Sequence, residues 1–133
     1  MVPSDRPTIL LVEDEILVRL WTADELRDAG FRVVEAANAD EALTRLHDGG
    51  PVDLLMTDIR MPGSMDGLGL ARTVHAEWPG LKIVVASAHM QAAAGDTIDA
   101  FFGKPYDPAI VATRIRELLG RRQAAAALSP RSA

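Results

Sequence analysis

The stretch Thr8-Ile9-Leu10-Leu11-Val12-Glu13-Asp14 decides the fold, because a run without polar alternation passes directly into two acids. Such a run is typical of a strand that is covered on both faces in a parallel sheet. Over residues 15–29 apolar side chains recur at helical spacing, and Gly30 stands where helices commonly end. The apolar positions of this helix are Val18, Trp21, Leu26 and Ala29. The sequence therefore opens with a strand, a helix and a stop.

The alternation of strand and helix continues along the chain. We predict further strands over 31–35, 52–57, 81–86 and 100–103. Further helices are predicted from the capping box at Asn38 to Gly49, over 68–78, and from Asp107-Pro108 onwards. This alternation predicts the α/β class, with a doubly wound, five-stranded parallel sheet and helices on both of its faces. Ligands of such sheets bind beyond the carboxyl ends of the strands.

The composition is that of one ordinary globular domain, with 133 residues of which 48% are hydrophobic and 25% charged. We expect residues 8–120 to form this domain. Residues 1–7 are predicted to be a flexible N-terminus, and residues 121–133 a flexible tail or an extension of the last helix.

Charge and residue usage exclude several classes of function. Fourteen Lys and Arg against nineteen Asp and Glu give a net charge of −5, which argues against direct nucleic-acid binding. The absence of cysteine excludes disulfides, a thiolate nucleophile and a cysteine-ligated zinc site. No apolar stretch reaches the ~20 residues that span a bilayer, and the first residues lack a signal-peptide pattern. We therefore expect no membrane association and a cytoplasmic location.

Chemically reactive side chains gather at the predicted strand ends. They are Glu13 and Asp14 after the first strand, Asp58 after the third, Ser87 near the end of the fourth and Lys104 after the fifth. Two carboxylates about 4 Å apart repel by roughly 4 kcal/mol at an effective dielectric constant of ~20, so three together require a cation or raised pKa values. Carboxylates and a backbone carbonyl, here that of Arg60, suit Mg²⁺ better than zinc.

In this order the residues resemble the receiver domain of bacterial two-component response regulators. The resemblance covers residues 8 to about 120 and rests on Glu13-Asp14, on Asp58 within Thr-Asp-Ile-Arg-Met-Pro, on Asp66-Gly67, on Ser87-Ala88 and on Lys104-Pro105. It implies a flavodoxin-like sheet with the strand order 2-1-3-4-5. It also implies a histidine kinase or histidine phosphotransferase as partner, with a downstream effector that the sequence does not identify.

The resemblance implies a role for each of these residues. Asp58 would accept the phosphoryl group, while Ser87 and Lys104 would contact its oxygens. Mg²⁺, with Mn²⁺ as an alternative, would be held by Glu13, Asp14, Asp58 and the backbone carbonyl of Arg60. Such a domain is a phosphoacceptor switch, not an enzyme with a separate substrate, although it promotes its own phosphorylation and its own slow dephosphorylation.

The resemblance further implies a conformational switch near the site. Ser87 would turn toward the phosphoryl group, and Phe101, three residues before the lysine, would swing inward without a hydroxyl to offer. Arg60 and His89 would flank the entry of water and tune the phosphoryl lifetime. The other residues expected in loops near the site are Met61, Pro62, Ala88 and Pro105.

Three features depart from the family pattern. The acidic pair is Glu-Asp where Asp-Asp is common, and the loop Met-Pro-Gly-Ser-Met-Asp-Gly is one residue longer than usual. The stretch from Ser87 to Lys104 is short by more than one helical turn, so we expect the fourth helix to be short, displaced or disordered. Receivers commonly contact their effectors through this region.

Other functions stay open at this point. A pseudo-receiver would keep the fold without phosphate, and a phosphohydrolase of the haloacid dehalogenase type would also use a strand-end aspartate. Those phosphohydrolases need a second aspartate where this chain has Arg60, and the glycine-rich motifs of nucleotide-binding domains are absent. A relay, a phosphoryl sink, an adaptor and a module of a hybrid kinase would share these residues.

Overall fold

Five strands alternate with four helices over residues 6–88 and 97–128, the part of the chain that the computed structural model describes. In chain order the elements are β1 (Thr8–Val12), α1 (Ile16–Asp28), β2 (Arg32–Ala36), α2 (Ala39–His47), β3 (Leu54–Asp58), α3 (Gly67–Glu77), β4 (Lys82–Ser87), β5 (Ala100–Gly103) and α4 (Pro108–Leu128). The strands form one parallel sheet in the order β2-β1-β3-β4-β5. The predicted class and strand order are confirmed.

Burial on both faces explains the apolar runs of the central strands. Every residue of β1 and of β3 is buried. Because successive side chains of a strand point to opposite faces, Ile9 and Leu11 pack in one core with residues of α1 and α4. Leu10 and Val12 pack in a second core with residues of α2 and α3. The strands at the sheet edges, β2 and β5, are less buried.

The apolar spacing of helix α1 predicts only part of the face that is buried in the structure. Leu26 of the predicted stripe is buried, but Trp21 is 53% exposed. Thr22 and Ala23 are buried in its place, and the Thr22 hydroxyl lies 2.9 Å from the hydroxyl of Tyr106, just before α4. The large apolar side chains that α1 exposes are Ile16, Leu17, Leu20 and Trp21.

The last helix and the chain before β5 bear on two further predictions. Helix α4 continues past residue 120 to Leu128, whereas the flexible tail expected over residues 121–133 stays a prediction. The expectation that the fourth helix is short, displaced or disordered concerns a stretch that includes residues 89–96, which lie outside the described residues, as do residues 1–5 and 129–133. No helix of the described part is long and apolar enough to cross a membrane.

The parallel register brings the carboxyl ends of the strands to one edge of the sheet. Val12 at the end of β1 pairs with Thr57 of β3, and Ser87 at the end of β4 pairs with Gly103 of β5. The residues that follow these strands are therefore neighbours in space. This edge holds the candidate site.

Candidate functional site

Three carboxylates meet at the carboxyl edge of the sheet. One ligand oxygen from each of Glu13, Asp14 and Asp58 lies within 4.8 Å of the others. Glu13 and Asp58 are only 2% and 8% exposed, and Asp14 is half-buried. A set of carboxylate oxygens without nitrogen or sulfur fits a hard divalent cation such as Mg²⁺ or Mn²⁺. The sequence prediction that these three acids converge is confirmed.

Lys104 places an ammonium among these carboxylates. Its ammonium donates to Glu13 Oε1 at 2.7 Å and to Asp58 Oδ2 at 2.9 Å, and it lies 3.8 Å from Glu15 Oε1. The Lys104 amide also donates to the carbonyl of Ser87, which fixes the end of β5 against the end of β4. Lys104 therefore links the end of β5 to the ends of β1, β3 and β4.

Burial and these contacts shift the pKa values of two groups in the site. Burial alone lowers the pKa of Lys104, but hydrogen bonds and charges from Glu13 and Asp58 outweigh it and hold this pKa above its ordinary value. Burial raises the pKa of Glu13, and hydrogen bonds from Lys104 and from the Glu15 amide offset only part of this rise. Lys104 therefore stays charged at neutral pH and neutralises part of the negative charge of the acids.

The site opens to solvent through a cleft of about 270 Å³. Its lining consists of Asp14, Glu15, Asp58, Arg60, Ala88 and Lys104. Ser87 is 2% exposed and lies directly before Ala88. Arg60 is exposed at the rim, and with Met61 and Pro62 it lines an adjoining cleft beside Asp14. A carboxylate, an ammonium and an open space are thus adjacent.

The other predicted residues lie around this centre. Phe101 is half-buried on β5 and packs against the second core, so its packing role is established, whereas its switching role stays a prediction. Pro105 lines a mainly apolar cleft that it shares with Trp21 and Lys104. His89 lies outside the described residues.

The backbone that carries Asp58 is fixed by a close approach to α3. The Gly67 amide donates to the carbonyl of Ile59 at 2.8 Å, and a Cβ added at Gly67 would overlap the carbonyl oxygen of Asp58. Asp66 caps α3 by accepting from the Gly69 amide at 2.9 Å. This contact explains why a glycine follows the capping aspartate in the motif.

Sequence reasoning missed three residues that the structure brings to the site. Glu15 lies at the rim beside Lys104, and the run of three acids at 13–15 was the signal for it. The Arg19 guanidinium donates to the Glu13 carbonyl at 2.9 Å. Burial raises the pKa of Tyr106, whose hydroxyl is bonded to Thr22. No spacing rule predicts the last two, because Tyr106 lies 84 positions from Thr22 and the Arg19 guanidinium is held by Glu35 on the neighbouring strand β2.

Comparison with known proteins identifies the family that carries this arrangement. The family model of the response regulator receiver domain matches residues 9–116. The chain belongs to the response regulator receiver domain family. The resemblance drawn from the strand-end residues is thereby confirmed.

The relatives of this receiver domain include parts of larger proteins. It is 36% identical over 125 residues to the sensor kinase CckA of Brucella abortus, covering 90% of this chain and 13% of that protein. The receiver therefore spans a small part of that kinase's length.

Solved structures of the family superpose well on the receiver. A response regulator receiver protein from Sinorhizobium medicae is 32% identical, with a TM-score of 0.80 over 90% of this chain and 98% of that one. The response regulator TrrA of Thermotoga maritima, solved in complex with Mg²⁺ and BeF, is 27% identical, with a TM-score of 0.76 over 84% of this chain and 98% of that one.

Proposed function

We propose that Asp58 accepts a phosphoryl group from a phosphohistidine of a histidine kinase or histidine phosphotransferase. The single observation that carries this proposal is the position of Asp58, whose carboxylate lies beside two further acids and 2.9 Å from the Lys104 ammonium. In the transfer a carboxylate oxygen of Asp58 forms a bond to phosphorus while the bond from phosphorus to the imidazole nitrogen breaks. The electron pair of the broken bond leaves with the imidazole.

Glu13, Asp14 and Asp58 would hold Mg²⁺, or Mn²⁺, together with the backbone carbonyl of Arg60. Two observations support this fit. The donor atoms are all oxygens, and one carboxylate oxygen from each acid lies within 4.8 Å of the other two. The relative TrrA, solved with Mg²⁺ and BeF, supports the same assignment here. When bound, the cation supplies positive charge that offsets the charge on the phosphoryl oxygens.

Lys104 and Ser87 are proposed to contact the phosphoryl oxygens. Charge spreads over these oxygens during transfer, so a fixed ammonium stabilises the transition state more than the free reactants. The raised pKa of Lys104 keeps its amine charged for this task. Ser87 would add a hydroxyl from the end of β4, and its movement, coupled to that of Phe101, would convert phosphorylation into a change of shape.

Water would later attack the phosphorus of the aspartyl phosphate, which returns Asp58 and releases inorganic phosphate. The cleft that exposes Asp58 is the route for this water, and Arg60 stands at its rim. We propose that Arg60 and His89 set how quickly water attacks. The domain is then a switch that resets itself slowly, and it processes no separate substrate.

The exposed apolar side of α1 offers a surface for the phosphodonor protein. Leu17 is 80% exposed and Trp21 is 53% exposed, and Trp21 shares a cleft with Lys104 and Pro105. Exposed apolar patches of this kind mark protein-binding surfaces. This surface does not identify the effector, and it does not distinguish a relay from a sink or an adaptor. The cytoplasmic location and the absence of nucleic-acid binding stay predictions.

Intact-protein mass spectrometry tests the function. The wild-type protein is incubated with acetyl phosphate, with and without Mg²⁺, beside Asp58→Asn and the control Asp24→Asn, whose carboxylate is exposed on α1. We expect one phosphoryl group on the wild type and on the control, with Mg²⁺ only, and none on Asp58→Asn.

Other outcomes would select a different function. Continuous release of phosphate from small phosphoesters without a labelled protein would indicate a phosphohydrolase. No labelling by acetyl phosphate or by a phosphorylated histidine phosphotransferase would indicate a pseudo-receiver.

A further inference from the structure

The short loop between β1 and α1 carries two of the three acids, and its backbone is held from two sides. The Glu13 amide donates to the carbonyl of Ala36 on β2 at 3.0 Å. The Glu13 carbonyl accepts a hydrogen bond of 2.9 Å from Arg19 Nη1. The Glu13 carboxylate accepts from the Glu15 amide at 3.1 Å and from Lys104. The direction of this carboxylate therefore depends on a peptide group that Arg19 holds.

Arg19 is itself held by an ion pair with Glu35, a carboxylate that also contacts Arg27. Its Nε donates to Glu35 Oε1 on β2 at 3.2 Å, while Arg27 Nη2 donates to Glu35 Oε2 at 3.1 Å and to the carbonyl of Val33 at 3.0 Å. The side chains of Arg19 and Glu35 are only 18% and 24% exposed, so solvent screens their interaction less than that of a surface pair.

The chemistry of arginine suits this position. A guanidinium presents several donors in a fixed plane, so it can bond Glu35 with one nitrogen and the Glu13 carbonyl with another. The single ammonium of a lysine has no such fixed plane. Contacts behind a metal ligand orient that ligand, and their loss commonly lowers metal affinity about 10- to 100-fold.

We infer that Arg19 is a positioning residue of the acidic site, held by Glu35 and Arg27, and that it aims the Glu13 carboxylate at the metal. This inference deepens the proposed function, because it rests on Glu13 as a metal ligand. The order that Arg19 imposes on the loop can also be measured without metal.

The test compares Arg19→Met and Arg19→Lys with the wild type. The control is Arg114→Met, which removes an exposed ion pair with Glu117 on α4. Amide hydrogen exchange in Mg²⁺-free protein should speed up at Glu13 and Glu15 in Arg19→Met, with β3 unchanged. Calorimetric titration with Mg²⁺ should show affinity about 10-fold weaker or more in Arg19→Met, and only partial recovery in Arg19→Lys. The control should match the wild type in both measurements.

The two measurements separate the possible failures. Unchanged exchange at Glu13 and Glu15, or a lower melting temperature with unchanged Mg²⁺ affinity, would overturn the inference. If the wild type binds no Mg²⁺, the proposed metal site is wrong, and the exchange data alone decide whether Arg19 orders the loop. If Arg19→Met does not fold, Glu35→Gln replaces it, and the same loosening of Glu13 and Glu15 is expected to a smaller extent.

Discussion

The ammonium of Lys104 lies 2.7 Å from Glu13 Oε1 and so joins the loop after β5 to the loop after β1. The two side chains are 15% and 3% exposed, which leaves little water to screen them. Removing one partner of a buried ion pair leaves an uncompensated charge, which is more harmful than the absence of both. We therefore expect the lysine to contribute to the stability of the domain, besides the chemical role proposed for it.

Lys104→Met should lower the free energy of unfolding of the Mg²⁺-free protein by about 3 kcal/mol, because Glu13 and Asp58 then face each other without a cation. Urea unfolding measures this change. Added Mg²⁺ should stabilise the variant more than the wild type, since the lysine no longer competes for the same carboxylates. The control Lys82→Met removes a partly exposed and longer pair with Asp99, at 3.9 Å, and should change stability by less than about 1 kcal/mol. Equal effects of the two substitutions on stability would contradict the claim that Lys104 compensates the buried charges of Glu13 and Asp58.

Gly67→Ala should destabilise the domain by roughly 1–3 kcal/mol, because its Cβ would overlap the backbone of Asp58. The control is Gly120→Ala in α4, where a Cβ meets nothing within 4 Å. Alanine suits a helix better than glycine, so this control should stabilise by about 0.5–1 kcal/mol. Thermal unfolding of both variants checks the pair, and a neutral Gly67→Ala would show that α3 does not lie so close to Asp58.

Tyr106→Phe should cost about 1 kcal/mol at neutral pH, since it leaves the buried Thr22 hydroxyl without its Tyr106 partner. Thr22→Val in the same background should recover part of this loss. Unfolding in urea measures the cycle formed by the two single variants and the double variant. Additive losses would show that the two hydroxyls do not interact.

The raised pKa of Tyr106 predicts a fall of stability in alkali. Above the ordinary tyrosine pKa of about 10, unfolded chains lose the phenolic proton that folded chains still hold, so the folded state binds more protons and stability falls as pH rises. The stability that the protonated Tyr106 hydroxyl contributes is complete below about pH 10, and it is lost as pH rises through the pKa of Tyr106 in the folded state. Tyr106 is the only tyrosine of the chain, so its absorbance titration reports this residue alone. A midpoint at or below the ordinary value would contradict the burial of the hydroxyl, and Tyr106→Phe should flatten the fall of stability between pH 10 and the folded pKa.

The burial of one face of α1 predicts that substitutions at two of its leucines change the free energy of unfolding by very different amounts. Leu26 is fully buried, and Leu26→Ala should lower the free energy of unfolding by about 2–5 kcal/mol. Leu17 is 80% exposed, and Leu17→Gln should change stability by no more than about 0.5 kcal/mol. Leu17→Gln should also slow phosphoryl transfer from a protein donor while leaving labelling by acetyl phosphate unchanged. A large loss of stability from Leu17→Gln would reverse the assigned faces.

Much of the fold could be predicted because burial leaves a direct trace in the residues. Strand β1 is covered on both faces, so its run has no polar alternation, and a parallel sheet places Glu13, Asp58 and Lys104 at one edge. The predicted start of β3, residue 52, is wrong by two residues, because the strand begins at Leu54. There the amide of Asp53 bonds to the Thr8 carbonyl without continuing the regular strand.

The rest depended on contacts between distant elements, which local patterns do not encode. On the inward face of α1 the Thr22 hydroxyl pairs with the hydroxyl of Tyr106, 84 residues later. The hold of Arg19 on Glu13 depends on Glu35 of the neighbouring strand. Apolar spacing ranks Trp21 above Thr22 as a core residue, whereas in the structure Thr22 is buried beside Tyr106 and Trp21 is exposed.

The most direct measurement locates the phosphoryl group on the chain. Borohydride reduces an aspartyl phosphate to homoserine, so wild-type protein labelled by acetyl phosphate and Mg²⁺ is reduced and its peptides are sequenced by mass spectrometry. The proposed mechanism predicts homoserine at position 58 and at no other aspartate, and none without Mg²⁺. Homoserine at a different position, with Asp58 unchanged, would contradict the assignment of Asp58 as the phosphoacceptor.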